Sequence, residues 1–247
     1  MKKVPLALGL YSVRTELKND WKQCLRTVKE MGYEGVEFFG PMSYPVDELK
    51  AELEKLDLPL VGWHIGFPDI HEKTVQYNRA LGNHRLVVPG LPAEMTASAD
   101  AWRETAKKFC EAAGYLAGEG FLLGYHNHSA EFRPLDGEIP WDIFAPATEG
   151  KVFLQLDNGN AMAGGADTVA LLEKYPKRGV TVHFKPYSRT DGFATMVGED
   201  DIPWEKTFEA LDRQGVTEWY VVEYEDPKYE QFEGAKLALD ALRKMGL

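Results

Sequence analysis

The chain has 247 residues, 44% of them hydrophobic, and a formal net charge of −11. This length allows one large core, and the acidic balance argues against nucleic acid binding, which depends on Lys and Arg displacing counterions from phosphates. No apolar stretch is as long as a membrane-spanning helix, and Cys24 and Cys110 lack metal-type spacing. We therefore expect a cytoplasmic protein with reduced, buried cysteines that binds a small molecule and neither a membrane nor nucleic acid. The sequence leaves a homo-oligomer open.

Eight short apolar runs recur along the chain, with longer segments between them. They are VPLALGL (4–10), GVEFF (35–39), PLVGWHI (59–65), RLVVPG (85–90), GFLLGYH (120–126), VFLQLD (152–157), VTVHFK (180–185) and WYVVEY (219–224). The intervening segments with helical spacing of apolar residues cover 21–31, 46–57, 70–82, 98–118, 166–175, 203–214 and 230–245, with a weaker one at 140–149. Continuous apolar strands that alternate with amphipathic helices indicate a parallel sheet covered by helices.

Eight such units in this length match a single-domain (β/α)8 TIM barrel over residues 1–247. A doubly wound sheet is the alternative, and it predicts a glycine-rich phosphate loop after the first strand. The segment from Gly9 to Arg14 contains neither GxGxxG nor GxxxxGK. We therefore favour the barrel, in which reacting groups sit at the carboxyl ends of the strands.

Four successive strands in the second half end on residues that can bind a metal. His126 and His128 follow the fifth strand, Asp157 the sixth, His183 the seventh and Glu223 the eighth. Strand ends of a barrel meet at one rim, so these side chains are expected to converge. Imidazole and carboxylate ligands suit one divalent ion, namely manganese, zinc, cobalt or magnesium.

Each of these residues also has a simpler explanation. His126 and His128 project to the same side of an extended segment, and either one alone could be hydrogen-bonded at the barrel rim. Asp157 could cap the helix that follows it. Glu131, in the loop HNHSAEF, is either a general base or a solvated carboxylate.

Lys185 lies two residues after His183 and points to the same face. Its charge needs a partner, either a substrate oxygen or a carboxylate such as Asp157 or Glu223. Glu223 and Glu225 also share one face, and carboxylates inside a barrel are costly without a cation or hydrogen bonds. The first half contributes fewer candidates for lining the pocket: Tyr11, Arg14, Glu37 and His64.

Five motifs resemble the xylose-isomerase-like barrel superfamily of sugar phosphate isomerases and epimerases, in the branch with a YHNHxxEF signature. They are YHNHSAEF (125–132), LDNGNAMAGG (156–165), VHFKPY (182–187), VGEDDIPW (197–204) and VVEYED (221–226). The resemblance spans nearly the whole chain. It implies one metal ion held by Glu, Asp, His and Glu at the ends of strands five to eight.

Three of these ligand positions match, at Asp157, His183 and Glu223, but His126 occupies the position of the fifth-strand glutamate. The two-glutamate proton transfer of the epimerases therefore does not carry over directly. The resemblance implies Glu223 as one proton-transfer group and either Glu131 or His126 as the other. It implies substrate contacts for His64, His128, Asn160, Lys185 and Arg189.

The activity that the resemblance implies is isomerisation or epimerisation of a small keto-sugar, by proton transfer through a metal-stabilised enediolate. If a leaving group departs from the β-carbon, the same site gives a lyase or hydratase acting on 3-keto-glycosides. A non-catalytic sugar-binding or structural barrel subunit is a further alternative. An endonuclease similar to endonuclease IV is disfavoured by the acidic charge.

Overall fold

The computed structural model describes residues 3–247, so the first two residues of the predicted domain lie outside the described part. Its sheet contains eight strands: β1 Leu6–Gly9, β2 Gly35–Phe39, β3 Leu60–His64, β4 Arg85–Val88, β5 Leu122–His126, β6 Val152–Gln155, β7 Thr181–Phe184 and β8 Trp219–Val222. Each predicted apolar run contains one of them, so the strand prediction is confirmed.

The strands form a closed TIM barrel. All ladder pairs are parallel, in the order β6-β5-β4-β3-β2-β1-β8-β7. The remaining gap between β6 and β7 is closed by backbone hydrogen bonds, including His183 N to Leu156 O at 2.9 Å, and by a bridge between Asp157 and His183. Two of the predicted metal ligands therefore lie where the barrel closes.

Among residues 3–247, ten α-helices surround the barrel: α1 Arg14–Asn19, α2 Trp21–Met31, α3 Val46–Lys55, α4 Glu72–Ala80, α5 Ala99–Gly118, α6 Pro140–Ala147, α7 Asn158–Ala163, α8 Thr168–Lys174, α9 Trp204–Gln214 and α10 Gln231–Lys244. Eight of them fall in the predicted helical segments. The short helices α1 and α7 were not predicted, because six residues carry too little periodicity. Side chains of Asp20, Ser98 and Asp167 accept hydrogen bonds at the starts of α2, α5 and α8.

Aromatic packing against α5 and α6 holds the fifth strand. Tyr125 points away from the barrel axis, with its ring 5.5 Å from Phe109 and 4.8 Å from Phe144. Because side chains alternate along a strand, anchoring Tyr125 outward turns the next residue, His126, inward. Burial of these rings therefore also orients a candidate site residue.

Both cysteines are free thiols, as predicted, but only Cys24 is buried; Cys110 is half-buried on α5. The prediction that both are buried was wrong for Cys110, whose helix position borders the solvent-facing side. Within residues 3–247, none of the helices combines the length and apolarity needed to cross a membrane.

Candidate metal and substrate site

Three buried side chains converge at the closing strands. Asp157 follows β6, His183 lies in β7 and Glu223 follows β8, and each offers a ligand atom within 4.8 Å of the others. His183 Nδ1 lies 3.0 Å from Glu223 Oε2. The structure thus brings together three of the four predicted ligands in a geometry that a single cation could occupy.

Asp157 uses its two carboxylate oxygens differently. Oδ1 accepts a hydrogen bond from Asn160 N at 2.7 Å and so caps α7. Oδ2 is buried and has no hydrogen-bond partner. Burial raises the pKa of Asp157 to about 6, against the opposing effect of Lys185. A buried, negatively charged oxygen that accepts no hydrogen bond is suited to bind a metal ion.

His126 ends β5 with its Nε2 3.8 Å from Asp157 Oδ2. Its other ring nitrogen, Nδ1, lies 3.1 Å from Gln155 Oε1. Burial holds the pKa of His126 well below its usual value, and the nearby His183 and His64 lower it further. The ring is therefore neutral, which is the form that binds a metal.

His183 lies between two carboxylates. Its Nε2 is 2.6 Å from Glu37 Oε1, and its Nδ1 faces Glu223. Burial opposes the charged form, but Glu37 and Glu223 outweigh it and raise the pKa of His183 to about 10. A protonated His183 thus places one positive charge between these two carboxylates.

Lys185 binds the two carboxylates that follow β8. Its Nζ lies 3.0 Å from Glu223 Oε1 and also contacts Glu225. The same nitrogen lies 5.0 Å from the centroid of the Phe193 ring. Of the two carboxylate partners considered from the sequence, Glu223 is the one that Lys185 contacts directly.

A cavity of about 380 Å³ opens beside this cluster. Its polar wall consists of His64, His126, His128, Glu223 and Glu225, and its other wall of Tyr11, Phe39, Gly40, Pro89 and Gly90. The rings of Tyr11 and Phe39 meet edge to face at 5.0 Å. One polar wall and one aromatic wall suit a small polyhydroxylated ring, whose hydroxyls need partners and whose C–H faces pack on aromatic carbon.

Four residues predicted to act on the substrate do not line the cavity: Glu131, Asn160, Lys185 and Arg189. Glu131 is buried outside the cavity lining, where its oxygens accept from Tyr125 OH at 2.7 Å and His128 N at 3.0 Å. These bonds hold the loop after β5. Arg189 is exposed and borders a separate depression. Asn160 is buried beside Asp157, and its side-chain nitrogen has no partner.

Gln155 is a site residue that was not predicted from the sequence, and Glu37 was predicted only to line the pocket. Gln155 Nε2 donates to Glu37 Oε2 at 2.7 Å and to Thr181 Oγ1 at 2.8 Å, inside the barrel. Glu37 is the lone polar residue of the run GVEFF, and Gln155 is one of two in VFLQLD. Gln155 also precedes Asp157 by two residues, which places both on one strand face. That spacing could have identified it.

Fold and site together define a TIM barrel with a buried carboxylate and imidazole cluster under a polar cavity. The sequence model of the xylose isomerase-like TIM barrel family matches residues 25–245. The chain belongs to this family.

Several known proteins resemble the chain over most of its length. The rhizopine catabolism protein MocC of Rhizobium meliloti is 25% identical over 83% of this chain and 75% of its own. An inosose dehydratase of Clostridium perfringens is 23% identical over 85% of this chain and 84% of its own.

Two solved structures share the fold. A sugar phosphate isomerase/epimerase from Parabacteroides distasonis superposes with a TM-score of 0.84, at 24% identity and 98% coverage of each chain. The IOLI protein, described with a zinc atom, superposes with a TM-score of 0.74, at 14% identity and 97% coverage of each chain. At these identities the superpositions establish the fold.

Proposed function

We propose that the chain is a divalent-metal-dependent isomerase or epimerase of a small keto-sugar or sugar derivative. One observation carries the proposal: Asp157 Oδ2 is buried without a hydrogen-bond partner beside His126, His183 and Glu223. Such an oxygen is costly unless a cation binds it. The cluster lies at the carboxyl ends of the strands, where TIM-barrel enzymes have their active sites.

The donor set fits one ion. Asp157, His183 and Glu223 supply two carboxylates and an imidazole, and the neutral ring of His126, 3.8 Å from Asp157 Oδ2, is the fourth ligand of this proposal. Oxygen and nitrogen donors suit zinc, manganese, cobalt or magnesium. The zinc described for a protein of the same fold supports this assignment.

Glu223, besides binding the ion, and two histidines of the cavity wall would act on the substrate. A bound cation would polarise the carbonyl of a keto-sugar and so acidify the neighbouring C–H bond. Glu223 lines the cavity and is ionised, because Lys185 and His183 outweigh its burial and hold its pKa well below the usual range. It is therefore placed to accept that proton. His64 and His128 border the cavity as hydrogen-bonding partners for hydroxyls.

A dehydratase or lyase is the second candidate, and the placement of the acidic groups favours it. Epimerisation requires proton-transfer groups on opposite faces of one carbon, whereas the cavity carboxylates Glu223 and Glu225 follow the same strand and share Lys185. Elimination can proceed with proton-transfer groups on one side, since a proton taken from carbon can be returned to the departing hydroxyl. The inosose dehydratase of Clostridium perfringens, 23% identical to this chain, supports this second candidate.

The test is proton exchange in heavy water. The Mn²⁺-loaded protein is incubated with ketoses, 3-keto-glycosides and inososes, and NMR follows the C–H signals next to the carbonyl. We expect exchange with at least one substrate class. A new sugar diastereomer or aldose identifies an isomerase or epimerase, whereas a conjugated ketone absorbing in the ultraviolet identifies a dehydratase.

Glu223→Gln should abolish the exchange because it removes the proposed base. Glu111→Gln, an exposed position on α5, is the matched control and should exchange at the wild-type rate. An absence of exchange across the whole panel, with metal bound, would leave the sugar-binding or structural barrel as the remaining explanation.

A further inference from the structure

Glu37 is a buried carboxylate that neither lines the cavity nor belongs to the candidate ligand cluster. It lies in β2, separated from β7 by β1 and β8 around the barrel, and is 2% exposed. Three nitrogens surround it: His183 Nε2 at 2.6 Å, Gln155 Nε2 at 2.7 Å and His64 Nε2 at 3.0 Å. Polar contacts from three strands thus hold this one carboxylate.

The neighbouring strand leaves room for this carboxylate. Gly62 of β3 pairs with Glu37, and a Cβ atom at Gly62 would lie 2.8 Å from Glu37 Oε2. Any larger residue would therefore displace the carboxylate. The conformation of Glu37 is fixed by space as well as by hydrogen bonds.

The contact between Glu37 and His183 Nε2 determines which nitrogen of His183 faces the candidate ion. An ionised carboxylate only accepts hydrogen bonds, so His183 presents an N–H group at Nε2 to Glu37. Its Nδ1 is directed toward Glu223 and the rest of the ligand cluster. A carboxylate that binds the far nitrogen of a metal-bound imidazole is a common support in metal sites.

Gln155 likewise determines which nitrogen of His126 faces the candidate ion. Its amide nitrogen must face Glu37 and Thr181, because the reverse orientation would set the amide oxygen against the Glu37 carboxylate. The amide oxygen therefore accepts a hydrogen bond from His126 Nδ1. With Nδ1 engaged by Gln155, Nε2 is the ring nitrogen that faces Asp157 Oδ2.

We infer that Glu37 and Gln155 are positioning residues for the metal, which select Nδ1 of His183 and Nε2 of His126 as its ligand atoms. The inference rests on the proposed metal site and extends it to two residues from β2 and β6. Neither residue touches the ion; each acts through the histidine it binds.

Glu37→Gln tests the inference, because it keeps the shape and removes the charge. Calorimetric titration with Zn²⁺ should show an affinity about 10- to 100-fold below wild type. Glu52→Gln is the matched control: Glu52 is also buried, but it pairs with Arg26 on the outer helices, and its zinc affinity should stay at the wild-type value.

Nitrogen-15 spectra of the histidine rings give a readout that a purely structural role would not change. In the zinc-loaded wild type we expect His183 to bind through Nδ1 with a protonated Nε2, and His126 through Nε2. This measurement needs no variant, so it stands even if Glu37→Gln fails to fold. Zinc bound to Nε2 of His183, or an unchanged affinity in Glu37→Gln, would overturn the inference while leaving the proposed function intact. A wild type that binds no divalent ion would overturn both.

Discussion

Asp157 illustrates how one side chain can serve structure and chemistry at once. One oxygen caps α7, and the other stays without a partner among His126, His183 and Glu223. The cap fixes the rotamer, so the free oxygen points in one direction only. Pre-orientation of this kind lowers the entropy that metal binding would otherwise cost.

Asp157→Asn should separate these two roles. The amide oxygen can still cap α7, whereas the charge at the second position is lost. We expect the affinity for Mn²⁺ to fall by at least about tenfold, and the metal-free variant to unfold at a temperature no lower than wild type, because burial of that charge is unfavourable. Calorimetry measures both; an unchanged affinity would exclude Asp157 as a ligand.

Lys185 supplies a positive charge beside the carboxylates of the candidate site. Lys185→Met removes the cation that Glu223 and Glu225 share, so that Glu223 keeps His183 as a partner and the half-buried Glu225 loses its ion pair. We expect a loss of about 3–5 kcal/mol in the free energy of unfolding, measured in urea without metal. The control is Lys174→Met, whose exposed pair with Asp142 should contribute about 1 kcal/mol or less. Equal losses would show that the Lys185 pairs are no more important than surface ones.

At the level of elements, the strands position the site by what they pack against on both their outer and inner faces. The fifth strand is held by aromatic contacts to α5 and α6, and its pairing with β6 sets Gly124 opposite Phe153. A Cβ atom at Gly124 would lie 2.4–2.8 Å from the Phe153 ring. The glycine therefore allows the two strands to carry His126 and Gln155 at the same level.

Gly124→Ala should destabilise the barrel by about 1–3 kcal/mol, because the added methyl group forces the Phe153 ring to move. Gly114→Ala is the matched control, since it lies in α5 with no atom within 4 Å of the new Cβ. That change should stabilise the protein by about 0.5–1 kcal/mol through helix propensity. Thermal unfolding of both variants checks the prediction, and a neutral Gly124→Ala would contradict the packing argument.

At the scale of the whole molecule, the candidate ligands come from the four strands on either side of the barrel closure. His126, Asp157, His183 and Glu223 follow or lie in β5, β6, β7 and β8. The closure between β6 and β7 has fewer backbone hydrogen bonds than a full ladder, since only isolated bonds and one bridge join them. A cation would therefore link strands where the sheet is weakest.

Saturation with Mn²⁺ should accordingly raise the unfolding temperature. At a concentration 100 times the dissociation constant, binding adds about 2.7 kcal/mol, which corresponds to roughly 5–10 °C for a chain of this size. Scanning calorimetry with Mn²⁺ and with EDTA provides the measurement. Asp157→Asn should show a much smaller rise, and identical curves for the wild type in both buffers would argue against the metal site.

The barrel follows from local sequence patterns, and such patterns also predict the chemical character of the candidate site. Apolar runs and helical spacing are local patterns, so the eight strands and eight of the helices follow from them directly. The positions of Asp157, His183 and Glu223 at strand ends are local too, and barrel geometry then brings these ends to one rim.

Which polar side chains contact each other inside the barrel depends on the tertiary structure. Glu37 contacts His183 across the barrel, although the two residues are 146 positions apart in the sequence. Gln155 contacts His64, 91 positions away, and His126 on the neighbouring strand. Glu131 and Arg189 lie near the predicted ligands in sequence, but loop conformation places them outside the cavity. Strand register and rotamers arise from packing of the whole chain, so no local pattern encodes them.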